Sequence, residues 1–197
     1  MPALREAKNA DIIQTTTFNG AFPAWLAAKI RRKPVILTVH EVWVGKWKHI
    51  TGFGYLKSVI HDLLERLLYL LPFDQYICVS KATSEDLLKL GIPAKKVQVV
   101  YNGLDYEFWN PKKVTAKEVQ QLKKELGLEK KWVYFSWGRP GESKGFEYVI
   151  KAASLIAKEV PNSILLLMFG SKEKYPKRYY QLMQLIGSNP HIKVFSS

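Results

Sequence analysis

Two cations and three glycines share the nine residues from Trp137 to Gly145 (Trp-Gly-Arg-Pro-Gly-Glu-Ser-Lys-Gly). The segment lies between an apolar run and a long amphipathic pattern, so it reads as a strand-to-helix turn. A helix N-terminus offers backbone N–H groups without partners and a partial positive charge. Arg139 can fork two N–H groups onto phosphate oxygens, and Lys144 adds a compact point charge. Gly138 lets the chain bend, and Gly145 lets the next helix pack close. Together these residues suit a diphosphate. The spacing is neither that of a Walker A loop nor that of a dinucleotide fingerprint. The plain reading of the same residues is a loop with two solvated cations.

A second group ends other apolar runs. His40 closes Val35-Ile36-Leu37-Thr38-Val39, Ser80 closes Tyr76-Ile77-Cys78-Val79, and Asn102-Gly103 follows Val99-Val100-Tyr101. In open α/β sheets ligands bind at the carboxyl ends of strands, so polar residues there face the binding crevice. His40 can donate to a substrate hydroxyl near neutral pH; by position alone the favoured reading is an edge histidine satisfied within the fold. No His-Glu-x-x-His pattern follows it, and His49, His61 and His191 show no ligand spacing, so no metal site is expected.

The elements that hold these residues alternate. Strands are expected at 11–14, 34–40, 74–80, 97–101, 132–138, 163–170 and 192–195. Most are continuous apolar runs, as in parallel strands buried on both faces. Helices are expected at 21–32, along the stripe Leu56, Ile60, Leu63, Leu67 and Leu71, at 80–90 ending at Gly91, from the capping box Thr115-Ala116-Lys117-Glu118 to Gly127, and at 146–160. Strand–helix alternation with short connections means α/β with right-handed parallel crossovers. The turn-rich stretch from Tyr101 to Lys113 marks a break. The expected division is 1–105, a linker at 106–114, and 115–197, with four and three strands leaving both sheets incomplete.

The 197 residues carry 30 Lys+Arg against 17 Asp+Glu, a net charge of +13, which favours anionic partners. No helix-turn-helix, zinc-ligand, RRM or KH pattern supports nucleic acid. The single cysteine, Cys78, cannot form an internal disulfide, which fits a reducing cytoplasm. Residues 1–9 lack the apolar region of a signal peptide. The apolar stretch 56–71 is broken by His61, Asp62, Glu65 and Arg66, so it is expected to be a soluble or interfacial helix. With Trp43, Lys46, Trp47, Lys48, Phe53, Tyr55 and Lys57 before it, this stretch has two readings. One is a lip dipping into an anionic membrane surface. The other, favoured by the width of the stripe, is a helix facing the sheet core.

Taken in order, Thr38-Val39-His40, Val79-Ser80-Lys81-Ala82-Thr83, Asn102-Gly103-Leu104-Asp105 and Gly138-Arg139…Lys144-Gly145 resemble the GT-B glycosyltransferases. Within these the chain is most similar to the large retaining family GT4. The resemblance spans Asp11 to Phe195 and rests on the combination of segments, each being weak alone. It implies two Rossmann-like domains, an N-terminal one for the acceptor and a C-terminal one for a nucleotide-sugar donor such as a UDP- or GDP-sugar. It implies sugar transfer with retention to a hydroxyl of a carbohydrate or lipid-linked acceptor. Arg139 and Lys144 would stabilise the leaving diphosphate, His40 would touch the transferred sugar, Asn102 would begin the interdomain connection, and Gly170 would close a strand at the donor edge. No cofactor or metal is implied. The family's first strand with its glycine-rich loop is expected before Asp11 and its Glu-x7-Glu motif beyond Ser197, and Pro140 stands where an aliphatic residue is usual. The chain thus resembles a central piece, cytoplasmic or peripheral at the inner membrane face. The rival expectations are a non-catalytic remnant or subunit completing a partner's fold through open sheet edges, and a sugar-nucleotide epimerase.

Overall fold

The computed structural model describes residues 2–196. The chain forms two compact units, Met1–Leu104 and Asp105–Ser197.

The first unit holds helix α1 (Pro2–Glu6), strand β1 (Ile13–Thr16), α2 (Ala21–Arg31), β2 (Val35–Val39), α3 (Trp47–Thr51), α4 (Tyr55–Leu70), β3 (Gln75–Cys78), α5 (Lys81–Lys89) and β4 (Val97–Val99). The four strands pair in parallel in the order β1-β2-β3-β4. Val35, Leu37 and Val39 alternate into a core shared with Phe73, Tyr76, Cys78 and Leu87. β-Branched Val35 and Val39 suit a pleated, buried surface. Register is pinned where Asp74 Oδ2 accepts from the Val35 N–H at 2.8 Å.

The second unit holds α6 (Ala116–Glu125), β5 (Trp132–Gly138), α7 (Phe146–Glu159), β6 (Ser163–Phe169), α8 (Pro176–Ile186) and β7 (Ile192–Ser196), with a parallel β5-β6-β7 sheet. Leu165, Leu167 and Phe169 of β6 pack with Phe146, Ile150 and Ala153 of α7 and with Leu182 and Ile186 of α8. The architecture is α/β with parallel sheets, as expected, and all seven expected strands form, within a few residues of their expected bounds.

Two expectations fail. Continuous apolar strands were expected to be covered on both faces, yet Phe135 and Trp137 of β5 are exposed and stack on each other, ring centroids 5.6 Å apart. The stripe on α4 was expected to face the core, yet Leu56, Ile60, Leu63 and Leu67 are exposed while Ser58, Glu65, Leu68 and Tyr69 turn inward. The rotation has a polar cause. Glu65 accepts from the Trp43 N–H at 2.9 Å and the Trp47 Nε1–H at 2.7 Å, and Asp62 accepts from the Gly45 N–H. Those bonds to the loop after β2 decide which face of α4 meets the sheet. With this face inward, the Glu65 carboxylate and the N–H groups of Trp43 and Trp47 are all paired, as buried polar groups require.

Candidate functional site

Pairing places the candidates of each unit at one edge. Within the first unit, Val39 of β2 is in register with Cys78 of β3, so His40 and Ser80 leave neighbouring strands side by side. Thr83 joins them: its Oγ1 donates to the His40 carbonyl at 3.2 Å and lies 2.8 Å from Ser80 Oγ. Asn102 follows β4 on the other side of β3, where the Val100 N–H donates to the Cys78 carbonyl at 2.9 Å. The His40 ring and Asn102 are exposed. Ser80 is already committed as the N-cap of α5, its Oγ accepting from the Thr83 N–H at 3.1 Å.

The second unit places Gly138 and Gly170 at the ends of adjacent strands, the Gly170 N–H donating to the Gly138 carbonyl at 3.1 Å. Gly138 has φ 150°, in the range open mainly to glycine. A side chain there would meet Lys144 Cδ and Phe146 Cζ, each 3.7 Å away. Those are ordinary contact distances, so the backbone angle rather than space calls for glycine here. A tight turn follows, the Gly141 N–H donating to the Arg139 carbonyl at 2.7 Å, then a 3₁₀ turn at Glu142–Lys144 and a left-handed Gly145 (φ 62°). Arg139 and Lys144 are both exposed. Gly145 offers α7 no side-chain cap, so the first N–H groups of the helix are left for water or a ligand.

Arg178 of α8 completes this turn. Its Nη2 lies 2.7 Å from Glu147 and 3.3 Å from Glu142, and its Nε is buried without a partner among the described residues. The two carboxylates beside the Gly138–Gly145 turn are thereby paired. Of the cations along this stretch, Lys174, Lys177 and Arg178, Arg178 is held inward by its two carboxylate partners. The missed signal was the helical spacing of Tyr179, Leu182, Met183 and Ile186 after Pro176, which turns Arg178 toward α7. Tyr175 also reaches back: a Cβ on Gly141 would lie 3.8 Å from its ring.

A cavity of about 590 Å³ opens in the first unit instead, between the start of α2 and α4, lined by Phe18, Phe22, Trp47, His61, Leu64 and Leu67 among others. Beneath it, burial raises the Glu65 carboxyl above its ordinary value despite the N–H groups of Trp43 and Trp47 that favour its charged form. Burial likewise pushes up the Cys78 thiol, a free and buried side chain. Trp43 and Trp47 pack with Phe18, rings 4.8 to 5.7 Å apart, and Lys46 pairs with Asp86 at 2.6 Å, so these members of the proposed lip belong to the fold.

Parallel strands with polar residues at their carboxyl ends recur in two successive α/β units, as in Rossmann-type folds. The chain matches HepE of Anabaena, solved with UDP-glucose, at a TM-score of 0.77 and 20% identity, covering 99% of this chain and 50% of that one. It matches a glycosyltransferase of Rickettsia africae at 0.68 and 16%, covering 99% and 51%. It also matches the UDP-GlcNAc 2-epimerase of Neisseria meningitidis at 0.51 and 15%, covering 99% and 52%. The chain thus spans about half the length of these proteins. No curated protein sequence matches it. The family model described as Glycosyltransferase Family 4 matches residues 1–108, and the chain belongs to that family.

Proposed function

We propose that the chain contributes to transfer of a sugar from a nucleoside diphosphate-sugar to a hydroxyl acceptor, with retention of anomeric configuration. The observation that carries this reading is the turn Gly138–Gly145, where two exposed cations flank the uncapped start of α7. That HepE, similar in fold, was solved with UDP-glucose, and in a second structure with UDP, supports a uridine diphosphate donor. In the reaction the bond from the anomeric carbon to the diphosphate oxygen breaks and its electron pair leaves with the diphosphate. The acceptor oxygen bonds to that carbon on the same face and gives its proton to the leaving phosphate. Arg139 and Lys144 stabilise the charge as it develops, commonly the largest catalytic contribution in such chemistry. Gly138 and Gly170 allow close backbone approach at the donor edge. In the first unit, His40 touches the transferred sugar, and Ser80 and Asn102 shape the same edge. The acceptor is a carbohydrate or lipid-linked alcohol, and the compartment is the cytoplasm.

A second reading, a subunit that completes a partner's fold, is favoured by exposed Phe135 and Trp137. Light scattering separates the two, since a monomer with full secondary structure counts against it. Calorimetric titration of UDP and GDP onto wild type, Arg139→Ala and Lys144→Ala tests the donor site. Weaker binding in both variants supports it, and equal binding in all three proteins refutes it. Nucleotide release that requires a hydroxyl acceptor distinguishes transfer from the epimerisation named for the Neisseria protein.

A further inference from the structure

No helix of the described residues is long and apolar enough to cross a membrane, yet α4 turns a continuous apolar surface outward. At 3.6 residues per turn its circumference runs Arg66, Val59, Leu70, Leu63, Leu56, Leu67, Ile60, Leu64, Lys57. Only apolar side chains lie between the two cations; Leu63 is 56% and Leu67 49% exposed although both are leucines in mid-helix. The opposite face, with Ser58, Glu65 and Tyr69, is the one tied to the loop after β2. Lys48 stands beside Tyr55 and Val59 across a shallow groove, adding a third cation to the margin. The acids nearby are spent: Asp62 binds Arg66 at 2.7 Å and the Gly45 N–H, and Glu65 is buried. At its other margin the face runs into the 590 Å³ cavity, which Leu64 and Leu67 also line.

We infer that α4 docks the first unit flat on an anionic lipid bilayer, its apolar face among the acyl chains and Lys48, Lys57 and Arg66 at the level of lipid phosphates. An apolar arc with cations at both margins is the pattern of a helix lying in the membrane interface rather than through it. Arg66 can exchange its carboxylate for phosphate, and Lys57, now 3.8 Å over the Phe53 ring, needs only to swing outward. The net charge of +13 adds long-range attraction to the same surface. The placement is independent of the donor site.

The test is co-sedimentation of the full chain with vesicles of phosphatidylcholine alone and of equal parts phosphatidylcholine and phosphatidylglycerol. The mixed vesicles should retain the chain, and Leu63→Glu with Leu67→Glu should weaken binding about tenfold or more while circular dichroism stays unchanged. Lys48→Glu with Lys57→Glu should weaken the preference for phosphatidylglycerol. Binding that survives the double glutamate variant would reduce the interaction to general charge attraction and overturn the inference. So would failure to bind anionic vesicles at low salt. A dimer by light scattering that reverts to monomer in the same variant would show that a second copy covers the face, and would overturn it equally.

Discussion

Two strand-to-helix turns in this chain share a plan and differ in what they leave open. After β3, Ser80 caps α5 with its own hydroxyl and Thr83 ties the cap to His40. After β5, a glycine stands at that place, α7 has no side-chain cap, and two cations flank the opening. The first turn satisfies its helix end from within; the second leaves its helix start uncapped between two exposed cations, while Arg178 pairs with the nearby acids Glu142 and Glu147. An N-cap is worth about 1 kcal/mol, so an uncapped end flanked by cations gives up stability that a bound diphosphate can restore.

The largest effect that would sharpen this contrast lies under the second turn. Phe146→Ala should destabilise the second unit by about 3–5 kcal/mol in denaturant unfolding and weaken UDP binding with it. The Arg139→Ala and Lys144→Ala variants should each lose about ten- to hundredfold in UDP affinity with stability within about 0.5 kcal/mol of wild type. Arg178→Met should cost stability by about 1–2 kcal/mol and weaken UDP as well, because Glu142 and Glu147 regain their charge beside the diphosphate. Ser80→Ala should cost about 1 kcal/mol in the first unit and leave UDP binding untouched.

The smallest effect is a pH dependence in the first unit. The hydrogen bond from Lys46 holds the Asp86 carboxyl below its ordinary value. A depressed folded pKa stabilises above the unfolded value of about 3.9, and the contribution is lost as pH falls through the folded value. Lys46→Met should therefore lower stability slightly at neutral pH and leave it unchanged at acid pH where the Asp86 carboxyl is protonated, which flattens the acid limb of the profile.

What the sequence made legible follows from distance along the chain. The carboxyl ends of β2, β3, β5 and β6 could be placed because each apolar run stops locally, at His40, Ser80, Gly138 and Gly170. The rotation of α4 could not, because Glu65 binds the Trp43 amide 22 residues upstream. Periodicity reports that a face is apolar without reporting which face the loop requires inward. Arg178 stayed hidden for the same reason, its partner Glu147 lying 31 residues earlier. The exposed Phe135 and Trp137 escaped because a strand's composition does not say whether anything covers its second face.

The central claim is that the opening of α7, and not that of α5, receives a diphosphate. Amide chemical-shift mapping of the labelled chain with UDP tests it directly. Shifts should concentrate on residues 138–147 and vanish with Arg139→Ala plus Lys144→Ala. Shifts confined to residues 80–83, or none at saturating nucleotide, would contradict it.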